Sequence, residues 1–415
     1  MKNFLIKKQV IGVKMKQIDK KEYQEKISFF VNTVGIYILL LPFDCFKIGN
    51  IGSLLKIYAI IPVTILILTK KRYKIKYNKL LFSMLLYLSW TFFSCIYSID
   101  IEISFFSSLS LALNIILVII LSSIHTFNLK EKDFLFKCLI FSGWIMVLCF
   151  IIFGNKNNWS GRLILSFGEE SSQDANYANG YMLCTFAYHI YLAIKEKKIV
   201  HFIAASILLG IVIMTGSRGA LLAFVICIIL VVFLVIKKSK YPIKIIIFSV
   251  ILIVILYNGF INMLEYLAPE LAIRFSGQYI SQYGTTGRSE IWKALFDVFT
   301  NSGIFRELMG WGYGTTRLLN TTTSIRTAGL VAHNLYIDNL ISIGIIGLLL
   351  QIFMQIECFK FLWKSKNAML ICTYGAYIAM CLSLSLVNYK PIWCIMMIAL
   401  ILKNNSNQFK KGREC

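Results

Sequence analysis

The chain has 415 residues, of which 58% are apolar and 15% are charged, with a formal net charge of +23 and a mean hydropathy of +0.71. A soluble domain is nearer half apolar and a quarter charged, so these values exclude a soluble enzyme. The content of aromatic and β-branched residues also excludes a disordered chain. An excess of basic residues is typical of proteins that bind nucleic acid or an anionic membrane surface, and the positions of the charges decide between the two.

Apolar runs recur along the whole chain. A helix that crosses a bilayer needs about 20 mostly apolar residues. We predict spans at 27–46, 51–69, 79–98, 103–124, 134–153, 175–194, 199–215, 219–236, 243–259, 333–357, 367–386 and 390–402. The fold class that follows is an all-α polytopic membrane protein with about twelve transmembrane helices.

Lysine is concentrated in alternate gaps between these runs. The Lys-rich segments are 1–26, 70–79, 130–137, 195–198, 237–244, 360–366 and 403–411. By the positive-inside rule this pattern places both termini in the cytoplasm. We therefore predict a basic cytoplasmic arm over 1–26, a single transmembrane domain over 27–402 and a cytoplasmic tail over 403–415. The charge serves topology and contact with anionic lipid, and no nucleic acid partner is expected.

The cysteines give no sign of metal chemistry. Most of the eleven lie inside predicted spans, and no CxxC pair or His/Cys cluster is present. We interpret them as small buried apolar residues and predict no metal site and no cofactor.

Arginine is distributed differently from lysine. Seven of the nine arginines fall on the predicted outer side: Arg162, Arg218, Arg274, Arg288, Arg306, Arg317 and Arg326. The planar guanidinium holds phosphate or carboxylate with two parallel hydrogen bonds, so this set favours an anionic ligand at the outer leaflet. The alternative is a set of salt bridges with outer acids such as Glu290, Asp297 and Glu307.

The first outer motif joins the seventh and eighth predicted spans. Gly216-Ser217-Arg218-Gly219-Ala220-Leu221-Leu222 is a two-glycine turn that places Arg218 beside the first turn of a helix. Free N–H groups and the partial positive charge of a helix N-terminus suit a phosphate.

One long extracytoplasmic loop, 258–332, follows the ninth span. Residues 287–299 space their apolar side chains for an amphipathic helix, with Ser289 or a neighbour as its cap. Such a helix can lie on the membrane with Trp292 and Phe296 in the interface. The turn-rich segment 310–314 (Gly-Trp-Gly-Tyr-Gly) lacks the strand–helix context of a nucleotide-binding glycine run.

His333 is the one histidine that faces outward in this topology. Its reference pKa near 6.5 suits proton transfer at neutral pH, although a lone histidine is more often structural. Asp338 lies one turn inside the tenth span, where an ionisable residue is expensive and indicates function. We interpret Gly344 and Gly347 as a flat face of this helix that permits close packing.

These elements form an ordered series that resembles a known family. Gly216–Leu222, Gly287-Arg288 with Ile291-Trp292, Gly310–Gly312, and His333-Asn334 with Gly344 and Gly347 look like the shared domain of the bacterial O-antigen ligase and polysaccharide polymerase superfamily. Asp174-Ala175-Asn176 resembles the Asp-Pro-Asn element of that family, with alanine in place of proline. The resemblance covers about 170–350, which sets a ligase/polymerase-like core at 168–350.

The resemblance implies a membrane glycosyltransferase that uses an undecaprenyl-diphosphate-linked glycan outside the membrane and needs no metal or nucleotide sugar. By position, Arg218 and Arg288 would bind the donor diphosphate and stabilise charge on the leaving group. His333 would activate or orient the acceptor hydroxyl. Four further residues would contact the acceptor or the sugars: Asp174, Asn176, Arg317 and Asn334.

Several functions stay open at this point. We favour a capsular or O-antigen repeat-unit polymerase of the bacterial plasma membrane, with a flippase and a chain-length regulator as further partners. The alternatives within the family are a ligase that transfers the glycan to lipid A core and a protein-glycosylating relative. A polysaccharide flippase or transporter is the alternative of a different class, but transporters place polar groups at the membrane midplane and often contain repeats.

Overall fold

The computed structural model describes residues 27–45, 47–48, 52–68, 77–123, 127–157, 161–166, 172–173, 175–236, 262, 265–266, 269–275, 287–321 and 329–403. Within these residues the helices are α1 Phe29–Leu39, α2 Leu54–Tyr58, α3 Ile60–Leu68, α4 Lys79–Phe93, α5 Ile101–Ser123, α6 Leu129–Phe153, α7 Ala175–Gly180, α8 Leu183–Glu196, α9 Ile199–Met214, α10 Arg218–Ile236, α11 Pro269–Phe275, α12 Arg288–Thr300, α13 Ile304–Met309, α14 Leu335–Ser365, α15 Ala368–Met380 and α16 Lys390–Lys403. Short 3₁₀ turns lie at Leu41–Cys45, Ser94–Tyr97 and Thr316–Leu319.

Among the described residues, five helices are long and apolar enough to cross a membrane: Lys79–Tyr97, Ile101–Ser122, Leu129–Phe153, Arg218–Ile236 and Leu335–Ser365. Shorter apolar helices lie at Phe29–Leu39, Leu54–Leu68, Ile199–Met214, Ala368–Met380 and Lys390–Leu402. Each predicted span except 243–259 coincides with helix in the structure, and 243–259 lies outside the described residues, as do the arm 1–26 and residues 404–415. The chain is a helical multi-pass membrane protein, while the number of twelve spans and the cytoplasmic termini stay predictions.

Large apolar side chains cover the outer faces of several helices. Phe29 is 70% exposed on α1, Ile67 is 68% exposed on α3 and Ile151 is 70% exposed on α6. A soluble monomer rarely exposes contiguous apolar surface of this kind, whereas lipid solvates it without cost. These faces therefore indicate contact with the hydrocarbon of a bilayer.

The fold also contains two small antiparallel sheets, so the all-α expectation is wrong in these short segments. Strands β1 (Lys47–Ile48) and β2 (Gly52–Ser53) form a hairpin, and β4 (Leu163–Ser166) lies between β3 (Gly154–Lys156) and β5 (Ser172–Gln173). Segments this short cannot satisfy their backbone groups as helices, and pairing across a hairpin does so instead.

Polar side chains cap the helices and tie their starts together. Asn128 and Glu131 form a capping box at the start of α6, with the Asn128 side chain accepting from the Glu131 N–H at 2.8 Å. Glu131 is buried, and its carboxylate also accepts a hydrogen bond of 3.1 Å from the backbone N–H of Ser28 before α1. The first and sixth helices are therefore joined at the same end.

The interior consists of helices packed through aromatic side chains. Helix α10 packs against α15 and α8, and the Phe186 and Phe224 rings lie 4.6 Å apart between α8 and α10. The buried Tyr377 hydroxyl of α15 donates to the Gly180 carbonyl at 2.8 Å. This contact fixes the end of α7, and with it the segment that precedes α8.

Gly344 interrupts α14, which corrects the prediction of a flat helix face. Its φ of +70° and ψ of −175° lie outside the helical region, so two helical segments meet there at a kink. A Cβ at Gly344 would lie 2.6 Å from the backbone N of Met309 at the end of α13. Glycine is required because of its backbone conformation and because another backbone approaches it. Gly347, by contrast, is helical and buried, and a Cβ there would meet the side chain of Ile343 one turn earlier in the same helix.

Candidate active site

Arg218 lies at the N-terminus of a membrane-spanning helix. It is the first residue of α10 and is half-buried, and the preceding Gly216 turns the chain with a φ of +60°. The Ser217 hydroxyl caps the helix by accepting a hydrogen bond from the Ala220 N–H at 3.2 Å. The partial positive charge of this terminus therefore adds to the charge of the guanidinium, as phosphate binding requires.

Neighbouring segments hold the turn before Arg218. The Ser217 hydroxyl donates to the side-chain oxygen of Asn176, so Asn176 supports the turn as well as being a predicted sugar contact. Arg162 Nε donates to the Thr215 carbonyl at 2.7 Å, and the Asn179 amide donates to the Thr215 hydroxyl at 2.7 Å. Asp174, the other predicted residue of this element, lies outside the described residues.

Arg288 begins helix α12, which confirms the helix predicted at 287–299. The helix starts after Gly287, whose φ is +84° and which offers no side-chain cap, so the predicted serine cap is wrong. Ile291 and Leu295 are buried in a cluster with Trp311 and residues of α14. This packing fixes α12, which begins with Arg288, against the start of α14.

Trp292 is half-buried and makes a contact within the protein, while its place in the membrane interface stays a prediction. Its indole N–H donates to the Ala332 carbonyl at 2.7 Å, directly before His333. Trp292 follows Arg288 by one helical turn, so the two share a side of α12. Phe296, the other predicted interfacial side chain, is 41% exposed.

His333 lies in a short segment that is fixed on both sides. Its φ is +49°, in the left-handed region that non-glycine residues rarely adopt, and its side chain is half-buried. The Ala332 N–H donates to the Asp338 carboxylate at 3.0 Å, and the Leu335 N–H donates to the Cys381 carbonyl at 2.9 Å. The imidazole is therefore attached to a backbone with little freedom to move.

Asn334 caps α14. Its side-chain oxygen accepts from the Tyr336 and Ile337 N–H groups at 3.0 and 3.2 Å. This oxygen satisfies two N–H groups of the first turn, which gives Asn334 a structural role beside its predicted contact with the acceptor. Asp338 follows one turn later in the helix, and its carboxylate is buried.

A loop between α15 and α16 joins the Arg218 turn to the start of α14. We call residues 381–389 the bridging loop. In it, Ser383 lies against Gly219, where a Cβ would meet its side chain at 2.9 Å, and the Ser385 hydroxyl donates to the Asp338 carboxylate. Cys381 accepts from Leu335 as described above. These contacts link the Arg218 turn, through the bridging loop, to the segment that carries His333, and Trp292 links that segment to α12.

The glycine-rich segment 310–314 packs on the kink of α14. The Gly312 N–H donates to the Ser342 carbonyl at 2.7 Å, and the Tyr313 N–H donates to the Ser94 hydroxyl at 3.0 Å. Tyr313 is buried, and burial raises the pKa of its phenol well above the usual value, so the ring stays neutral. This segment packs on α14 and on the 3₁₀ turn at Ser94–Tyr97.

The remaining arginines of the predicted outer set differ in their surroundings. Arg306 donates to the backbone carbonyls of Tyr97 and Gly310 at 2.9 and 3.1 Å and is structural. Arg317, a predicted substrate contact, is exposed in a 3₁₀ turn. The side chain of Arg274 and the whole of Arg326 lie outside the described residues. In the part of the chain that the structure describes, no group of three or more His, Cys, Asp and Glu residues could hold a metal ion.

A known protein family covers the segment that carries these residues. Residues 203–352 match the family model described as O-antigen ligase. This part of the chain is similar to that family. The match covers Arg218, Arg288 and His333 and ends before the bridging loop. No curated protein matches the chain. The family supports an activity of the O-antigen ligase and polymerase type.

The sequence did not reveal three sets of hydrogen-bonding groups that hold the candidate active site. They are the indole N–H of Trp292, the serines of the bridging loop and the Arg162 contact with Thr215. The bridging loop falls partly in a predicted span, and its serines give no local signal. Trp292 was visible in the sequence, but its membrane-interface pattern favoured another role.

Proposed function

We propose that the protein is a polysaccharide polymerase of the bacterial plasma membrane. It transfers an undecaprenyl-diphosphate-linked glycan onto the acceptor sugar of another lipid-linked repeat unit at the outer face, in capsule or O-antigen synthesis. The observation that carries the proposal is the convergence of Arg218, at a helix N-terminus, with the Arg288 and His333 segments in an O-antigen ligase domain.

The reaction requires stabilisation of a diphosphate leaving group. The acceptor hydroxyl oxygen attacks the anomeric carbon of the donor glycan, and the bond from that carbon to the diphosphate oxygen breaks. Undecaprenyl diphosphate leaves as the anion, while His333 takes the hydroxyl proton. Arg218 and Arg288 supply fixed positive charge where the negative charge develops, which is the most effective form of transition-state stabilisation.

The remaining predicted residues contact the glycans. Asn334, Asn176, Asp174 and Arg317 are proposed for the acceptor and the sugars. Helices with lipid-facing apolar side chains hold both lipid-linked substrates at one membrane surface, which raises their effective concentration. A flippase supplies the donor from the inner face, and a chain-length regulator limits the product.

The second candidate is an O-antigen ligase that uses lipid A core as acceptor. It is favoured by the description of the matching family, and it requires the same donor chemistry. A transporter receives less support, because Arg218 and Arg288 lie at helix starts and His333 lies before one, whereas transporters bind their substrates near the membrane midplane.

The test is an assay of the purified full chain in lipid nanodiscs with a lipid-linked repeat unit. A ladder of products without another acceptor supports the polymerase, and product only after addition of lipid A core supports the ligase. Arg218→Ala or Arg288→Ala should lower kcat by about 100-fold or more, as does loss of one donor to a developing anion. His333→Ala should lower kcat by about 100- to 10,000-fold, as does loss of a general base.

Lys293→Ala is the matched control, since Lys293 is an exposed cation on the same helix as Arg288. Its rate should equal that of the unmodified protein. Full activity of any one of the three alanine variants removes that residue from the mechanism. No product with either acceptor, together with movement of the lipid-linked repeat across the bilayer, favours the transporter.

A further inference from the structure

The backbone of Ala332 is held from two different helices. Ala332 is fully buried, its N–H donates to the Asp338 carboxylate of α14 at 3.0 Å, and its carbonyl accepts from the Trp292 indole of α12 at 2.7 Å. The carbonyl belongs to the peptide bond that leads into His333. Both hydrogen-bonding groups of this residue are thus used by side chains, outside any helix or strand.

The conformation of His333 needs such support. A left-handed conformation is unfavourable for a non-glycine residue. Conformations of this kind persist only where the surroundings determine them. Here the Ala332 bonds fix the residue before His333, and the Leu335 bond to Cys381 at 2.9 Å fixes the chain two residues after it.

Asp338 lies at a position that is energetically unfavourable for a carboxylate. Its side chain is 8% exposed inside a membrane-spanning helix, where a carboxylate is expensive. One of its oxygens accepts from Ala332, and the other accepts from the Ser385 hydroxyl in the bridging loop. The acid therefore joins the His333 segment to the loop that also contacts the Arg218 turn.

Trp292 makes the corresponding connection to Arg288. The two residues lie one turn apart on α12, and the adjacent Ile291 is buried in the cluster that holds this helix. A displacement of α12 that moves Arg288 would also move the partner of the Ala332 carbonyl. The spacing between the Arg288 guanidinium and the His333 imidazole is thus set through the backbone of Ala332.

We propose that Asp338 and Trp292 are positioning residues that fix His333 relative to Arg288 through the two hydrogen bonds of Ala332. This inference rests on the proposed function for the role of His333. Neither residue touches substrate, and each acts through the Ala332 backbone.

The test uses the full chain in nanodiscs and the lipid-linked repeat unit. Trp292→Phe removes the N–H donor and keeps most of the ring, and Asp338→Ala removes both acceptor oxygens. Each should lower kcat by about 100-fold with a much smaller change in KM, because small misplacement of a reacting group has effects of that size. Asp338→Asn should recover most of the rate, since an amide oxygen can still accept from Ala332 while its NH₂ donates to Ser385.

Two controls separate positioning from general damage. Trp144→Phe removes an indole donor that bonds His189 at 3.3 Å in other helices, and Glu357→Gln removes a buried carboxylate from the same helix as Asp338. Both should keep the rate of the unmodified protein. Rates within twofold of normal for Trp292→Phe and Asp338→Ala, with an inactive His333→Ala, overturn the inference.

A readout without turnover distinguishes this failure from failure of the proposed function. The rate at which diethyl pyrocarbonate modifies His333, followed by mass spectrometry of its peptide, should rise severalfold in Trp292→Phe and Asp338→Ala but not in the two controls. If His333→Ala is active, the proposed mechanism is wrong while this rate still tests the positioning. An unchanged modification rate in both variants overturns the positioning itself.

Discussion

Gly344 shows how one residue can determine the local course of a membrane-spanning helix. Its positive φ breaks α14, and the backbone of Leu308 and Met309 occupies the space where a side chain would stand. The kink also leaves the Ser342 carbonyl available to the Gly312 N–H at 2.7 Å. A side chain here would therefore disturb both the helix and the segment packed on it.

We predict that Gly344→Ala destabilises the protein more than Gly303→Ala does. Gly303 has a φ of +81° and no atom within 4 Å of the place where a methyl group would stand, so alanine there should cost only the strain of about 1–2 kcal/mol. At Gly344 the same strain is joined by overpacking of about 1–3 kcal/mol. The midpoints of thermal unfolding of the two purified variants, measured in the same detergent, test this prediction. Equal midpoints would contradict it.

At the scale of single residues, the sequence predicts the chemical type of a site residue better than it predicts the groups that this residue binds. Arg218 and Arg288 are placed at helix N-termini as predicted, because glycine turns and apolar periodicity are local signals. Arg306 belongs to the same predicted set, yet its guanidinium bonds two backbone carbonyls. Those carbonyls belong to segments that local sequence does not bring together, so the distinction requires the fold.

At the scale of elements, the apolar runs predict the helices, whereas the loops that form the candidate site give no comparable signal. Long runs such as Ile101–Ser123 coincide with predicted spans, because hydropathy alone decides whether a segment can cross a bilayer. The small strands of 154–173 pair within their own segment. The kink at Gly344 depends on contact with Leu308 and Met309, which are distant in the chain. The bridging loop 381–389 has the same origin, and it is the element that sequence reasoning placed least well.

We predict that the docking of α12 depends on Leu295. This side chain is fully buried against Trp311 and Ile341, and removal of such a leucine side chain costs about 2–5 kcal/mol. Because α12 packs through few buried residues, the loss should appear as local opening of this helix. Hydrogen exchange measured by mass spectrometry should show faster exchange in the α12 peptides of Leu295→Ala and no change in those of α4.

Phe296→Ala is the neighbouring control, since Phe296 is 41% exposed and lies outside the buried cluster that contains Leu295. It should leave the exchange of α12 close to that of the unmodified chain. Uniformly faster exchange across the whole protein in Leu295→Ala would indicate that α12 is part of the global core and would contradict the local view.

At the scale of the whole molecule, the charge pattern makes a prediction about sidedness. Lys197 is exposed between α8 and α9 in a Lys-rich gap predicted to be cytoplasmic, and Lys293 is exposed on α12 in the loop predicted to be outside. In intact cells a membrane-impermeant maleimide should label Lys293→Cys, and it should label Lys197→Cys only after the membrane is opened.

The unmodified chain provides the background for this labelling. The nine cysteines whose side chains the structure describes are buried, apart from the half-buried Cys95, so these nine should add little background. Labelling of Lys197→Cys in intact cells would reverse the predicted orientation and would place the arginines of the candidate site on the wrong side for a lipid-linked donor that has been flipped outward.

The bridging loop has a consequence for exchanging parts between relatives. The segment that matches the family ends at residue 352, yet Cys381, Ser383 and Ser385 hold its two ends together. A chimera that transplants 203–352 alone would carry Arg218, Arg288 and His333 and leave behind the groups that anchor Leu335 and Asp338. The segment needed to form this site is therefore longer than the segment that matches the family, and swaps should extend through residue 389.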